Sequence, residues 1–177
     1  MPERDSLTPR VVEAVEAQLR RRISPRMLRR AYRVGYLALR PWWFIARPHT
    51  VGTKAVVCRG DEVLLVRHTY GRRDRWDIPG GFVRPGEDPS VALARELFEE
   101  LGVEPVGTVA IAELAARSDR KRERLFVFAA EVAAGFEPQP SEAEIAAVRW
   151  ARHDALPPDT TVFARRMIAR SYWEMFR

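Results

Sequence analysis

The chain has 177 residues, of which 46% are hydrophobic and 31% are charged. This length suits one domain with a sizeable core, and the composition excludes a disordered chain. No uncharged run approaches the ~18 apolar residues of a membrane-spanning helix, and the first residues lack the apolar segment of a secretion signal. The single cysteine, Cys58, excludes an internal disulfide and a cysteine-rich zinc site. We therefore expect a protein of the reducing cytoplasm.

The net charge of +6 is concentrated near the N-terminus. Residues 1–50 hold 11 arginines against 4 acidic residues, whereas residues 51–177 hold 19 basic residues against 20 acidic ones. This imbalance predicts a basic extension over residues 1–47, followed by a nearly neutral domain over residues 48–177.

The extension is predicted to contain two helices. Apolar residues recur four apart over residues 11–19, and Ser24-Pro25 has the pattern of a helix start. Pro41 ends the second, arginine-rich helix, and the aromatic run 42–44 follows. Residues 1–47 could contact an anionic membrane, which would make the protein peripheral to it, or contact RNA. They could also pack on the main domain or across a homodimer interface, and the sequence leaves these options open.

The main domain is predicted to alternate between strands and helices. Short β-rich runs at 54–58 and 62–67 flank a turn and predict a hairpin. A loop rich in glycine and proline, residues 71–86, precedes a helix over 88–101, which Gly102 ends. The remaining predicted elements are strands near 106–116, 125–132 and 145–151, a basic turn over 118–124 and a closing helix over 160–176. This order predicts a layered α/β or α+β domain.

Three carboxylates share one face of the predicted helix, because Glu96, Glu99 and Glu100 follow the spacing i, i+3, i+4. Like charges at this spacing destabilise an isolated helix by roughly 0.2–0.5 kcal/mol per pair. Leucines at 93, 97 and 101 form a separate apolar stripe. The acidic face is therefore either a solvated surface or a site for a hard divalent cation, which prefers oxygen ligands and offsets the repulsion.

The spacing around this helix favours the cation site. From Gly81, five residues lead to Glu87 and seven more lead to Arg95-Glu96-Leu97, with Glu99-Glu100 and Gly102-Val103 following after one residue each. This segment resembles the signature of the Nudix hydrolases, G-x5-E-x7-R-E-U-x-E-E-x-G-U with U aliphatic, at every fixed position. The preceding run Trp-Asp-Ile-Pro-Gly is also similar to the family's approach to its motif.

The resemblance implies an α/β/α sandwich around a mixed β-sheet, here with an N-terminal helical extension. It also implies a Mg²⁺-dependent hydrolase, with Mn²⁺ as a substitute, that cleaves the diphosphate bond of a nucleoside diphosphate linked to another moiety. Such a substrate repels an attacking oxygen unless metal ions neutralise its charge, and Mg²⁺ held by one or two carboxylates keeps positions for phosphate oxygens and water.

Two other functions remain open. One is an RNA-processing hydrolase that acts on a cap or a 5′-phosphate, with the basic extension holding the transcript. The other is a non-catalytic nucleotide-binding regulator. The regulator predicts losses among the metal-binding glutamates, and this sequence retains all of them.

The resemblance assigns roles to residues of the motif. Glu99, Glu100 and the carbonyl of Gly80 would bind the metal, and Glu96 would be a further ligand or the base that deprotonates the attacking water. Arg95 would orient the carboxylates through charge-assisted hydrogen bonds.

Other residues of the motif would be structural. Glu87 would lock the loop to the helix, Gly81 would allow backbone conformations that other residues resist, and Gly102 would end the helix.

Residues outside the motif are weaker candidates. Members of the family often draw one more carboxylate from a later loop, and Glu144 is the first choice here, with Glu142 second. Arg72, Arg75 and Trp76 lie just before the motif and could bind phosphate or stack on a base, although a solvated loop is the competing interpretation.

Overall fold

The computed structural model describes Met27 and residues 49–69, 74–118 and 121–175. The strands are β1 (His49–Arg59), β2 (Glu62–His68), β3 (Gly80–Phe82), β4 (Gly107–Ser118), β5 (Lys121–Glu131) and β6 (Ile145–Arg152), and the helices are α1 (Pro89–Leu101) and α2 (Val162–Met175). Met27 is helical. The rest of the two helices predicted in residues 1–47 lies outside the described residues.

The six strands form one mixed sheet with the order β4-β5-β1-β2-β6, and β3 pairs with β1. Strands β1 and β5 run parallel, and the other pairs are antiparallel. The mixed sheet implied by the family resemblance is confirmed, as is the hairpin of β1 and β2. Within the described residues, neither helix is long and apolar enough to cross a membrane.

The two helices cover opposite faces of this sheet, because side chains alternate along β1. Ala55 and Val57 belong to the core that contains the buried leucines of α1, whereas Val56 and Cys58 belong to the core that contains the buried face of α2. The predicted leucine stripe is confirmed, since Leu93, Leu97 and Leu101 are fully buried. Burying each such side chain contributes about 1.5–3 kcal/mol, so the stripe fixes which face of α1 turns away from the core.

Helix α1 begins and ends close to the residues that the sequence predicts. The Asp88 carboxylate accepts the Ser90 N–H at 2.8 Å, and Pro89 occupies the first turn. Gly102 is left-handed, with φ of 65°, and its N–H donates to the Phe98 carbonyl at 2.9 Å. These caps satisfy backbone groups that the helix leaves unpaired at its ends.

Two expectations about loops are wrong. The basic turn over 118–124 is shorter than expected, because Ser118 and Lys121 are still paired across β4 and β5. The backbone pairing of these antiparallel strands outweighs the repulsion between the basic side chains, and exposed Arg124 forms an ion pair with Glu113 at 2.6 Å.

The loop over 71–86 also contains β3, whose residues Gly80–Phe82 carry almost no strand signal.

Candidate active site

Arg95 joins the loop before α1 to the carboxylates of the helix. Its Nε and Nη2 donate to the two carboxylate oxygens of Glu87 at 3.0 Å each, and its Nη1 donates to Glu96 Oε1 at 2.7 Å. Arg95 Nη2 also reaches the Phe82 carbonyl at 3.1 Å, and Glu87 accepts the Arg84 N–H at 2.8 Å. Hydrogen bonds from Arg95 lower the pKa of Glu87. Glu87 is therefore ionised and holds the loop, while Arg95 orients Glu96.

Two glycines let β3 approach β1 and α1 closely. Gly80 has a φ of 149°, and a Cβ there would lie 2.1 Å from the Thr53 carbonyl oxygen. A Cβ on Gly81 would lie 2.3 Å from the carboxylate of Glu96. Burial raises the pKa of Glu96, and the hydrogen bond from Arg95 opposes that shift. Only a residue without a side chain fits between β1 and this carboxylate.

Glu100 is the most unusual side chain of the helix. It is 3% exposed, and its Oε2 is buried without a hydrogen-bond partner. Burial raises the pKa of Glu100 well above its ordinary value, and the negative charges of Glu144 and Glu96 add to this shift. A buried carboxylate is costly unless it is paired. A bound cation would satisfy both the orphaned oxygen and the neighbouring negative charges.

The remaining predicted carboxylates lie at different depths. The Glu99 side chain is 45% exposed, with Oε2 at 3.7 Å from Arg95 Nη1. Glu144 is half-buried and its charge raises the pKa of both Glu96 and Glu100, so the loop before β6 brings it to α1. Its backbone is anchored by the Thr69 N–H, which donates to the Glu144 carbonyl at 2.8 Å. Glu142 is exposed.

The chemistry of these donors fits a hard divalent ion. The side chains of this site that can donate to a metal are carboxylates, which suit Mg²⁺ and Mn²⁺ rather than a thiol-seeking metal. Among the described residues, no group of three or more His, Cys, Asp or Glu side chains is arranged to hold a metal ion as it stands. One oxygen of Glu96 accepts a hydrogen bond from Arg95 at 2.7 Å. The fit therefore rests on the donor set and on the orphaned oxygen of Glu100.

Of the three predicted substrate-binding residues, the structure describes Arg75 and Trp76. Arg72 lies outside the described residues. Arg75 is exposed, with its Nε at 3.6 Å from the carboxylate of Asp74. Trp76 is buried in the core on the α2 side, and the guanidinium of Arg67 lies 4.4 Å from its ring centroid. These contacts give Trp76 a packing role, and substrate binding by the three residues stays a prediction.

Sequence reasoning missed one pair of charged residues near the site. Lys54 Nζ donates to Asp77 Oδ2 and to the Ile78 carbonyl, both at 2.9 Å. Composition could have drawn attention to Lys54, because it is one of only two lysines among 30 basic residues.

An open pocket lies beside the loop before α1. Its lining includes Phe82, Arg84, Arg124 and Phe126, and the Arg124 guanidinium carbon lies 4.9 Å from the Phe126 ring centroid. Such a pairing of arginine with aromatic faces suits a planar or anionic group.

Comparison with known proteins identifies the family. A family model for the NUDIX domain matches residues 48–171. The NAD-capped RNA hydrolase NudC of Pseudomonas aeruginosa is 35% identical over 121 residues, which are 68% of this chain and 41% of that protein. The diphosphoinositol polyphosphate phosphohydrolase 3-beta of Bos taurus is 53% identical over 45 residues, 25% of this chain and 27% of that protein. The chain thus spans less than half the length of either relative.

A solved structure agrees on the fold. The crystal structure of a MutT NUDIX hydrolase from Burkholderia pseudomallei matches with a TM-score of 0.61 at 24% identity, covering 70% of this chain and 98% of that one. The family model spans well over half of the chain and contains the complete motif from Gly81 to Val103. The chain therefore belongs to the Nudix hydrolase family.

Proposed function

We propose that the chain is a Mg²⁺-dependent pyrophosphohydrolase that cleaves the diphosphate bond of a nucleoside diphosphate linked to another moiety. The observation that carries this proposal is Glu100, a buried carboxylate with an unpartnered oxygen beside other negative charges. A purely structural helix gains nothing from such a group, whereas a cation site requires it. The complete set of Glu96, Glu99 and Glu100 also favours an enzyme over a non-catalytic regulator.

Each residue of the site has a distinct task in this proposal. Glu99, Glu100 and the Gly80 carbonyl would hold Mg²⁺, or Mn²⁺ in its place, and Glu96 is a ligand or the general base. When bound, the ion would neutralise the diphosphate and lower the pKa of the attacking water. Arg95 keeps Glu96 oriented through its 2.7 Å hydrogen bond.

The buried position of Glu96 supports its use as a base. Burial raises its pKa above the ordinary carboxyl value, which makes the carboxylate a better proton acceptor. Glu144 supplies negative charge from the loop before β6 and is proposed as the further carboxylate of the site, ahead of Glu142. The pocket lined by Phe82, Arg84 and Arg124 is proposed to hold the moiety beyond the diphosphate.

A second candidate function is hydrolysis at the 5′ end of RNA. It is supported by the 35% identity to the NAD-capped RNA hydrolase NudC over most of this domain. The basic excess of residues 1–50 adds support, because phosphate backbones attract clustered arginines.

The experiment that tests both candidates is a substrate panel with Mg²⁺ and chromatographic detection of the monophosphate products. The panel contains nucleoside diphosphates linked to sugars, nucleosides and other groups, together with capped and 5′-triphosphorylated RNA. We expect hydrolysis that EDTA abolishes and that Mg²⁺ or Mn²⁺ restores. Preference for a small nucleotide supports the first function, and preference for RNA supports the second. Tight nucleotide binding without any hydrolysis would contradict both and favour a regulator.

Residues 1–47 are proposed to supply location or assembly within the cytoplasm rather than chemistry. Every residue of the motif lies at Gly81 or beyond, and residues 51–177 are nearly neutral. A variant that begins at residue 48 should therefore keep metal-dependent hydrolysis of small nucleotides. If the arginines bind lipid or RNA, the full chain should bind anionic vesicles or RNA and release them as salt rises. A folded truncation that binds metal but hydrolyses nothing would show that the extension completes the pocket.

A further inference from the structure

An ion pair ties three elements together beside the proposed metal site. Lys54 of β1 donates through Nζ to Asp77 Oδ2 and to the Ile78 carbonyl, both at 2.9 Å. Asp77 Oδ1 accepts the Ile78 N–H at 2.9 Å and the Thr161 hydroxyl at 3.0 Å. The pair therefore holds the segment before β3 against β1 and against the start of α2.

The same segment is wedged between β1 and α1. Gly80 pairs with Lys54 in the sheet, and a Cβ on Gly80 would lie 2.6 Å from the Lys54 Cα. On its other side, a Cβ on Gly81 would lie 2.3 Å from the carboxylate of Glu96. The Pro79 carbonyl accepts the Ala55 N–H at 2.9 Å. A displacement of the backbone of residues 79–81 would therefore move the Glu96 carboxylate.

We propose that Lys54 and Asp77 are positioning residues that fix the backbone of residues 78–81 and, through it, the Gly80 carbonyl and the Glu96 carboxylate. This inference rests on the proposed function, in which those two groups face the divalent cation. Lysine suits the task, because its compact ammonium group carries three donors and can serve a carboxylate and a carbonyl at once.

The electrostatics agree with this geometry. Lys54 favours the ionised form of Glu100, opposing burial and the negative charges of Glu144, Glu96 and Glu99. Burial lowers the pKa of His68 to about 4; the charge of Lys54 adds to this shift, and the charge of Asp77 opposes it. His68 is therefore neutral at neutral pH and adds no positive charge beside Lys54.

Arg59 provides a matched control on the same strand. It lies at the far end of β1, donates to Glu62, to Glu137 and to the Phe136 carbonyl at 2.9 Å each, and is 16% exposed against 21% for Lys54. None of these partners belongs to the Nudix motif or to residues 77–81. Arg59→Met therefore removes a similar set of contacts without touching the proposed metal site.

The test compares Mn²⁺ binding by the full chain and its variants, with the free Mn²⁺ signal followed by electron paramagnetic resonance. We expect Lys54→Met and Asp77→Asn to weaken Mn²⁺ binding by about 10- to 100-fold, the range for groups that orient metal ligands. Lys54→Arg keeps the charge but not the geometry, so it should also bind Mn²⁺ more weakly. Arg59→Met should lower the melting temperature and leave Mn²⁺ affinity unchanged. The Mg²⁺ concentration for half-maximal hydrolysis should rise in the same order.

Two results would overturn the positioning role. One is equal Mn²⁺ affinity in folded Lys54→Met and Arg59→Met, and the other is wild-type affinity in Lys54→Arg. If Lys54→Met does not fold, Asp77→Asn decides the question. A wild-type chain that binds Mn²⁺ but hydrolyses nothing refutes the proposed function, while the variant affinities still decide the role of Lys54. A wild-type chain that binds no Mn²⁺ overturns both.

Discussion

The two helices of the domain pack on opposite faces of one sheet but differ in what they bury. The apolar residues buried by α1 are Ala92, Leu93, Leu97 and Leu101, and those buried by α2 are Ala164, Met167 and Ile168. Helix α2 also buries Ser171, whose hydroxyl donates to the Ile168 carbonyl at 2.8 Å. Helix α1 instead buries Glu100, which has an unpartnered oxygen and like-charged neighbours.

This difference separates a packing element from a functional one. Every described buried side chain of α2 is either apolar or hydrogen-bonded within the helix, so packing alone explains its burial. The charge of Glu100 opposes folding in the absence of a cation, because its burial and the repulsion from neighbouring carboxylates outweigh the attraction of Lys54 and leave its pKa raised. A local conflict of this kind marks a functional site in an otherwise consistent fold.

The largest expected effect would come from the acidic face of α1. Glu99→Gln should leave the fold intact, since the side chain is half-exposed, yet lower turnover by on the order of 10²–10⁴-fold through loss of a metal ligand. Steady-state hydrolysis with Mg²⁺ and a melting curve measure the two quantities, and excess Mg²⁺ should rescue only partly. Arg170→Gln, at an exposed position of α2, is the control. Near-normal turnover in folded Glu99→Gln protein would remove Glu99 from the site.

The reverse pattern is expected from α2. Ile168→Ala should lower the free energy of unfolding by about 2–5 kcal/mol, because the side chain is almost fully buried and leaves a cavity. Urea denaturation measures this loss. Mn²⁺ affinity and the turnover of folded protein should be unchanged at a temperature where the variant is folded. A drop in turnover without a loss of stability would show that α2 is more than a packing element.

The loop before β6 tests whether the functional region extends beyond α1. Glu144→Gln should lower kcat by about 10- to 100-fold with little change in KM, as expected for a group that acts on the metal ligands or the attacking water. Exposed Glu142 provides the matched control, and Glu142→Gln should be nearly silent. The opposite result would move the role to Glu142, and two silent variants would leave this loop without a catalytic group.

The smallest expected effect concerns the stability of the metal-free protein. The pKa of Glu100 is raised in the folded state, so the folded protein holds the carboxyl proton of Glu100 more tightly than the unfolded chain does. Stability should therefore fall as pH rises from the ordinary carboxyl value towards neutrality, and added Mg²⁺ should restore it.

Glu100→Gln should flatten this pH dependence. It should also raise the melting temperature of the metal-free protein by about 2–4 °C for each 1 kcal/mol of charge burial that it relieves. Melting curves from pH 5 to 8 in EDTA measure both changes, and Glu104→Gln, exposed just after α1, is the control. A variant that is less stable than the wild type at pH 7 in EDTA would contradict an unfavourable buried charge.

Local patterns were sufficient to predict α1 and its ends. The leucine stripe, the Asp88 cap and Gly102 all act within a few residues of one another, so their signals survive in the sequence. Strand β3 was missed for the opposite reason, since Gly80 and Gly81 have no intrinsic strand preference and are held by pairing with β1. The position of Trp76 just before the motif suggested substrate stacking, whereas its burial depends on distant Arg67 and α2, which leave no local signal.

The sequence by itself determined the family, the mixed α/β class and the acidic face of α1, because fixed spacing and helical periodicity are properties of neighbouring residues. Only the tertiary structure decided that Glu100 is buried while adjacent Glu99 is half-exposed. It also decided that Lys54 meets Asp77, 23 positions away. Glu100 is buried and Lys54 is paired because α1 and the sheet pack against each other. This packing brings together residues that are far apart in the sequence, so no local pattern predicts their contact.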